Sequence, residues 1–352
     1  MASSLNTLTK LFQSYGYAPV EPAILQPADP FLNAAGEALR RRLFVTESAN
    51  GEALCLRPEF TIPVCIAHKG GAAKYCYEGT VFRQRDEQPV EFSQAGVEAL
   101  GDTDFAKADA EMVRLALEAV QSVSDCKPEI RIGDPAFFDT LVQPIGLSDT
   151  WRDRLTRSFG DDALVAKVLK RMDAPASASA TGVDNESLED VTAKVSSMIT
   201  SHGLGSADGR SAEEIAARFI KTRQSQAEVP GQAIGLCKLF LEIECDASSV
   251  AQTFDVFSEE HEIDFSQAIS SFTNRLDAGL SDLNAPIKFS AGFGRRLDYY
   301  TGFVFEIYDA NDRTKGALAG GGRYDHLTEM LGGEKLPAVG FSLWLDRMEA
   351  RS

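Results

Sequence analysis

A mixed chain of the α+β kind, with strands at both ends and helices between, is what three stretches of the sequence predict. Residues 75–101 hold two apolar-rich runs, 75–82 and 92–100, either side of a polar loop at 86–89, the pattern of an antiparallel strand pair. Residues 147–283 carry helix-forming segments separated by stretches rich in Ala, Ser, Gly and Asp. From 287 to 344 strand-like alternation returns. A length of 352 residues accommodates one large domain or two moderate ones.

Residues 5–15 read as an amphipathic helix, with Leu5, Leu8, Leu11 and Phe12 at helical spacing and Gly16 as its stop. The run 15–31 then carries four prolines, which break helices and favour extended backbone. Short strands are expected at 43–46 and 53–56, across a turn at 49–51. The second leads into Arg57-Pro58-Glu59-Phe60-Thr61, where Pro58 ends the strand and presents Glu59 and Thr61 at its tip. A helix N-terminus at Thr61, running on to His68, fits the same residues. A helix is expected over 102–120, capped by Asp102, Thr103 or Asp104, with Phe105, Ala108, Met112, Leu115, Ala116 and Ala119 as one apolar stripe. A strand at 129–132 precedes another helix, opened by Asp134 as N-cap and Pro135 at its first position. Further helices are expected at 151–159, 164–172, 188–199, 212–222 and 233–240, with linkers at 174–186 and 203–211. Strands follow at 287–290 and 303–308. Gly320–Gly322 suits either a tight turn or close approach of backbone to a ligand.

Composition narrows the function. Hydrophobic content of 44% and charged content of 25% are ordinary for a globular chain. A formal net charge of −17 without a Lys/Arg-rich run opposes non-specific nucleic-acid binding. The cysteines at 55, 65, 76, 126, 237 and 245 form no C-x-x-C pair and read as small buried hydrophobes in a reducing compartment, not as metal ligands. No signal peptide and no membrane-spanning run of about 20 apolar residues is found, so the cytoplasm is the expected location. Neither G-x-x-x-x-G-K-[ST] nor G-x-G-x-x-G occurs, so no standard phosphate loop is expected.

Gln94 and Glu98 are four apart and share one face of the second strand of the 75–101 pair, with Arg83 at the exit of the first. Polar groups on a sheet face must be solvated, hydrogen-bonded or ligand-bound. From these residues alone a solvated surface hairpin fits as well as a site.

The segment YCYEGTVFRQRDEQPVEFSQAGVEALG resembles motif 2 of the class II aminoacyl-tRNA synthetases, and its tail FSQAGVEALG resembles the version in histidyl-tRNA synthetase. LRPEFT, RRLDYYTGFVFE and GGGRYDHL match that family in its own order. Residues 338–347 resemble motif 3 with its arginine, Arg347, and the first helix with its proline-rich run resembles motif 1, which builds the family's dimer interface. The resemblance implies a class II synthetase-like antiparallel sheet flanked by helices, with a helical insertion. The first part of the core would span 1–145, the insertion 146–284 and the second part of the core 285–352.

Carried over by position, the resemblance implies a histidine site built from Glu59, Thr61, Arg83, Gln94, Glu98, Arg295, Tyr299 and Tyr300. Free histidine presents an ammonium, a carboxylate and an imidazole. Glu59 and Gln94 suit the ammonium, and Arg83 and Arg295 the carboxylate. Glu98 can accept from an imidazole N–H, while a tyrosine bonds the other ring nitrogen.

Other positions depart from the synthetases. Phe60 and Arg296 stand where glycine is usual, and Arg85 where glutamate is common. The loop between Arg83 and Gln94 is shorter than theirs and carries Asp86, Glu87 and Glu91 in place of basic residues, which would repel triphosphate and tRNA. The sequence ends five residues after Arg347, so the anticodon-binding domain that follows motif 3 in that family is expected to be absent. A kept histidine pocket with lost nucleotide and tRNA machinery resembles the regulatory subunits of ATP phosphoribosyltransferase. That resemblance implies a non-catalytic chain, without cofactor or metal, required by a short-form catalytic subunit in the first step of histidine biosynthesis. It also implies a homodimer within a hetero-oligomer, L-histidine as ligand and feedback signal, and neither tRNA nor membrane as partner. A truncated histidine-activating ligase and an amino-acid-sensing dimer for another partner are the alternatives.

Overall fold

The computed structural model describes residues 2–34, 36–85, 88–173, 187–201, 211–224, 229–294 and 299–349. It resolves into two compact units, one of residues 1–138 with 241–352 and one of residues 139–240.

In the larger unit the described strands are β1 (Ala18–Pro19), β2 (Leu25–Pro27), β3 (Val45–Glu47), β4 (Ala53–Leu56), β5 (Ala73–Phe82), β6 (Glu91–Leu100), β7 (Pro128–Gly133), β8 (Glu244–Asp246), β9 (Ile287–Ser290), β10 (Val304–Asp309), β11 (Ala319–Arg323) and β12 (Ala338–Trp344). Nine of them form one sheet in the order β1-β5-β6-β12-β11-β10-β7-β9-β8, and β2-β4-β3 form a second. Pairing is antiparallel except for β1 with β5 and β7 with β9. β5 and β6 pair from Ala73↔Leu100 to Phe82↔Glu91, slightly longer at one end than their apolar runs alone suggest.

The two faces of the large sheet differ in chemistry. Val97, Phe341, Phe305 and Ile132 share one face and are buried. Phe12, from the helix Ala2–Ser14, meets Phe341 there at 6.0 Å. The other face carries Gln94, Gly96 and Glu98 on β6 and Gly340, Ser342 and Trp344 on β12, because residues two apart on a strand share a face. Small and polar residues at its centre leave room there that side chains on the first face fill.

The helix Phe105–Val123 is capped by Asp104, whose Oδ1 accepts from the Lys107 amide at 3.3 Å. Ala108, Met112, Leu115, Ala116 and Ala119 are buried as the spacing predicts. Phe105 is not: it is 46% exposed, and its ring serves as a platform for the Arg323 guanidinium 4.5 Å away. Asp109 is buried in its stead. Its Oδ2 accepts from Arg275 Nε at 2.7 Å and its Oδ1 from Arg323 Nε and Nη2 at 3.0 and 2.7 Å. Arg275 Nη1 also donates to Asp134 at 3.0 Å, and Arg323 Nη1 to Asp325 at 2.8 Å. Each buried charge therefore has a hydrogen-bonded partner of opposite sign, the condition under which such charges are tolerated. Asp134 Oδ1 accepts from the Ala136 amide at the start of the helix Pro135–Val142.

Phenylalanines hold Val250–His261 and Ser266–Asp277 onto this unit. Phe254 lies 4.4 Å from Phe137 and 5.8 Å from Phe289 of β9, and Phe272 lies 5.2 Å from Phe289.

The smaller unit contains helices Asp149–Ser158, Asp162–Met172, Leu188–Ser201 and Ala212–Gln224. Asp161 caps the second by accepting from the amides of Ala163 and Leu164. Trp151, Leu155, Val165, Leu169 and Met172 are buried. The expected linkers 174–186 and, but for Ser211, 203–211 lie outside the described residues. Among the described residues no helix is long and apolar enough to cross a membrane.

Candidate functional site

Glu98 is the centre of the polar sheet face and is 1% exposed. Three hydroxyls from three parts of the chain converge on it. Thr61 Oγ1 donates to Oε1 at 2.7 Å, Tyr77 donates to the same oxygen at 3.1 Å, and Tyr324 donates to Oε2. Tyr77 also meets Ser342 Oγ at 2.8 Å. A side chain at Gly96 would run into the Phe341 carbonyl and the Tyr77 hydroxyl, so glycine there lets Tyr77 lie across β6. Burial raises Glu98 to about 8, against the opposing pull of the hydroxyls from Tyr324, Thr61 and Tyr77. Desolvation outweighs the hydroxyls, so the carboxyl keeps its proton to higher pH than an exposed glutamate does.

Glu59 and Thr61 sit where β4 gives way to the helix Thr61–Ala67. Glu59 is buried, and its two oxygens accept from the amides of Thr61 (2.7 Å) and Ile62 (2.8 Å). It thereby satisfies donors that the first turn of a helix leaves open. Both expected roles of this stretch, strand tip and helix N-terminus, thus coincide. Burial raises the Glu59 carboxyl, and the Arg83 guanidinium is among the groups that pull it down. Arg83 Nε donates to the Pro58 carbonyl at 2.6 Å.

Phe60 is fully buried. Its ring stacks on Tyr77 at 4.4 Å and 8°, and the Arg57 guanidinium lies 4.0 Å from its centroid. Arg57 in turn donates to the carbonyls of Pro22 and Thr80. The phenylalanine thus props the tyrosine that reaches Glu98.

Gln94 lies on the same face as Glu98, opposite Gly79 and Trp344, and is 1% exposed. Its Oε1 has no hydrogen-bond partner among the described residues. Tyr299 is buried; its hydroxyl is raised by burial first and then by Glu59, while a hydrogen bond with Thr61 pulls it back. The rings of Tyr299, Tyr300 and Tyr324 form a cluster, with centroids 5.0 Å (299–300), 5.9 Å (299–324) and 6.5 Å (300–324) apart. Glu59, Thr61, Glu98, Tyr299 and Tyr300 are therefore neighbours, with Gln94 further along the same strand and Arg83 beside Glu59. Arg295, the remaining expected residue, and Arg296 lie outside the described residues.

Tyr77 and Tyr324 were not singled out by sequence reasoning. Tyr77 carries a signal in hindsight, since it alternates with Tyr75 and Gly79 on β5 and pairs into the same sheet face as Glu98 and Gln94. Tyr324 lies within GGGRYDHL, whose register brings the polar face to its glycines.

At the other end of the face, Arg85, which departs from the synthetase pattern, and Arg347, the motif 3-like arginine, have partners of their own. The Arg85 guanidinium lies 3.2 Å over the Phe92 ring, and its Nη1 donates to Asp346 Oδ2 at 3.0 Å. Arg347 Nη1 donates to the Ala317 carbonyl at 2.6 Å, and its guanidinium lies 4.8 Å over Trp344. Gly316 has φ +80, a left-handed setting that favours glycine, and Arg347 Nη1 lies 3.0 Å from where a Cβ would stand. Asp86 and Glu87 lie outside the described residues. Among the described residues no group of His, Cys, Asp and Glu is arranged to hold a metal ion.

A family model described as histidyl-tRNA synthetase matches residues 1–203 and 208–348. An ATP phosphoribosyltransferase regulatory subunit of Brucella canis is 41% identical over 348 residues, covering 94% of this chain and 92% of the relative. The Brucella ovis protein of that name matches equally well. A solved ATP phosphoribosyltransferase regulatory subunit/histidyl-tRNA synthetase from Bacillus halodurans superposes with a TM-score of 0.63 at 19% identity, over 100% of this chain and 79% of that one. A histidyl-tRNA synthetase from a Nostoc species superposes with a TM-score of 0.65 at 19% identity, over 99% and 70%. At such identity the superpositions speak for the fold, a class II synthetase-like α+β architecture.

Proposed function

The chain belongs to the histidyl-tRNA synthetase-like family and, within it, to the ATP phosphoribosyltransferase regulatory subunits; on that premise we propose that the Glu98 pocket is an L-histidine site through which feedback reaches a short-form catalytic subunit. Its function is regulatory and non-catalytic: it serves ATP phosphoribosyltransferase in histidine biosynthesis by partnering the catalytic subunit.

One observation carries the ligand assignment. Gln94 Oε1 is a buried acceptor without a partner among the described residues, on the same strand face as a buried carboxyl. A buried unpaired acceptor costs about 1–3 kcal/mol, which a ligand N–H would recover. In this reading Gln94 and Glu59 take the ammonium, and Arg83 and Arg295 the carboxylate. Glu98 accepts an imidazole N–H, Tyr299 or Tyr300 bonds the other ring nitrogen, and Thr61 orients Glu98. The ligand residues then fall in the core parts 1–145 and 285–352, and none in the insertion 146–284. Exposed Ile24 and Leu25 in the motif 1-like segment support a homodimer within the hetero-oligomer, and six free cysteines fit the cytoplasm.

The test is phosphoribosyl-ATP formation by a short-form catalytic subunit, with and without this chain and with added histidine. Stimulation that histidine reverses, and that Glu98→Ala makes insensitive to histidine, supports the reading. Unchanged histidine binding and feedback in Glu98→Ala would place the effector elsewhere.

A further inference from the structure

On the helix-covered face of the large sheet, away from Glu98, the molecule has a second concavity. It is a cleft of ≈ 410 Å³ lined by Ser14, Tyr15, Lys74, Lys107, Glu111, Arg114 and Ala278. Its residues come from four elements. Ser14 ends the first helix and Tyr15 follows it, Lys74 is on β5, Lys107, Glu111 and Arg114 recur at helical spacing on Phe105–Val123, and Ala278 follows Ser266–Asp277. Lys74 pairs with Ala99 in the sheet and so faces away from Tyr75 and Glu98.

The charge of this cleft opposes that of the chain. Lys74, Lys107 and Arg114 meet one lining carboxylate, Glu111, in a protein of net charge −17. Glu111 Oε1 holds Lys74 Nζ at 2.7 Å. Arg114 Nη2 donates to the Gly279 carbonyl at 3.2 Å. Gly279 has φ +124, and a Cβ there would stand 2.6 Å from that same nitrogen, so the loop after Ser266–Asp277 is shaped to receive the guanidinium. Tyr15 donates to both oxygens of Glu118 at 2.9 and 2.8 Å, which fixes its ring at the wall and sets a second carboxylate beside the cleft. Two of the three cations are thus held in place by a fixed partner, and Lys107 has none among the described residues.

We propose that this cleft binds a small phosphate-bearing anion, separately from the histidine pocket. Three cations against Glu111 and Glu118 leave the cleft with a positive excess in an acidic protein, which favours a phosphate, and Arg presents the fork that recognises its oxygens. The volume lies in the range of small-molecule sites.

Calorimetric titration of the full-length protein tests it, with inorganic phosphate and ribose 5-phosphate as probes and chloride at matched ionic strength as reference. Saturable binding of either probe at one site per chain is expected, and the tighter probe tells free phosphate from a phosphate ester. Lys107→Ala, an exposed position where the fold has nothing to lose, is expected to weaken binding about tenfold, the effect of one charge-assisted hydrogen bond. Gly279→Ala, which displaces Arg114, is expected to weaken it at least as much. Lys238→Ala, an exposed lysine remote in sequence, should leave binding unchanged. No saturation with either probe, or equal losses in Lys107→Ala and Lys238→Ala, would show a solvated charged cleft only and overturn the proposal.

Discussion

Gly340 faces Glu98 across the β6–β12 pairing, and the side chain that 340 lacks is the space Glu98 Oε2 occupies. Any Cβ there would also press on the Val97 carbonyl at 2.6 Å. Gly340→Ala must therefore push the carboxyl out of its ring of hydroxyls or shift a central strand. Overpacking of this kind costs about 1–3 kcal/mol. The expected result is a lowered Tm together with lost histidine binding by calorimetry. A variant that binds histidine like the parent would separate Glu98 from the ligand site.

Glu98 itself sets a pH dependence. Burial raises it from 4.5 to about 8, so between those values the folded state holds a proton that the unfolded chain has lost. Stability contributed by this group is therefore present at low pH, declines as pH rises through that window and levels off above it. The full decline is on the order of a few kcal/mol. Glu98→Gln should flatten this part of the urea-denaturation profile, and an unchanged slope would assign the dependence to other groups. A ligand N–H at Glu98 favours the carboxylate, so histidine binding near neutral pH is expected to release a proton, seen as heat that varies with buffer ionisation enthalpy.

Phe60 occupies a position that is usually glycine in the resembling synthetases, yet it is packed between Arg57 and Tyr77. Phe60→Ala removes a fully buried ring and is expected to cost about 3–5 kcal/mol. Phe60→Gly should cost more, because it adds backbone entropy to the loss. Thermal denaturation is the measurement. A loss below about 1 kcal/mol would mean that the neighbouring side chains collapse into the gap.

Arg85→Glu restores the residue common in the synthetases but sets a second carboxylate against Asp346 and removes the stack on Phe92. Destabilisation on the order of 2 kcal/mol is expected, with no histidine-dependent ATP–pyrophosphate exchange gained. Appearance of exchange activity would show that a single charge separates this chain from adenylation.

Much of this was legible in the residues. The β5–β6 pair announced itself through two apolar runs about a polar loop, and Asp134-Pro135 marked a helix start that the backbone adopts. Alternation also put Gln94 and Glu98 on one face. Periodicity could not report what meets that face, because the donors to Glu98 come from 21, 37 and 226 residues away. The same limit hid Asp109. A lone carboxylate among alanines reads as a solvent-facing position, and only tertiary packing supplies Arg275 and Arg323, 166 and 214 residues distant. Phe105 was misjudged for the converse reason: hydrophobicity alone puts it in the core, whereas a cation takes up its face.

The strand order has a bearing on how the molecule is made. β6 lies between β5, its immediate predecessor, and β12, whose Trp344 pairs with Gln94. β7 lies between β9 and β10, both encoded after residue 286. On the ribosome, the strand that bears Gln94 and Glu98 emerges with one edge open and stays so until β12 is made, after the whole 139–240 segment. Such long-range pairing is slow and leaves apolar surface open to wrong partners meanwhile. The polar face around Glu98 is thus among the last features of the nascent chain to be completed.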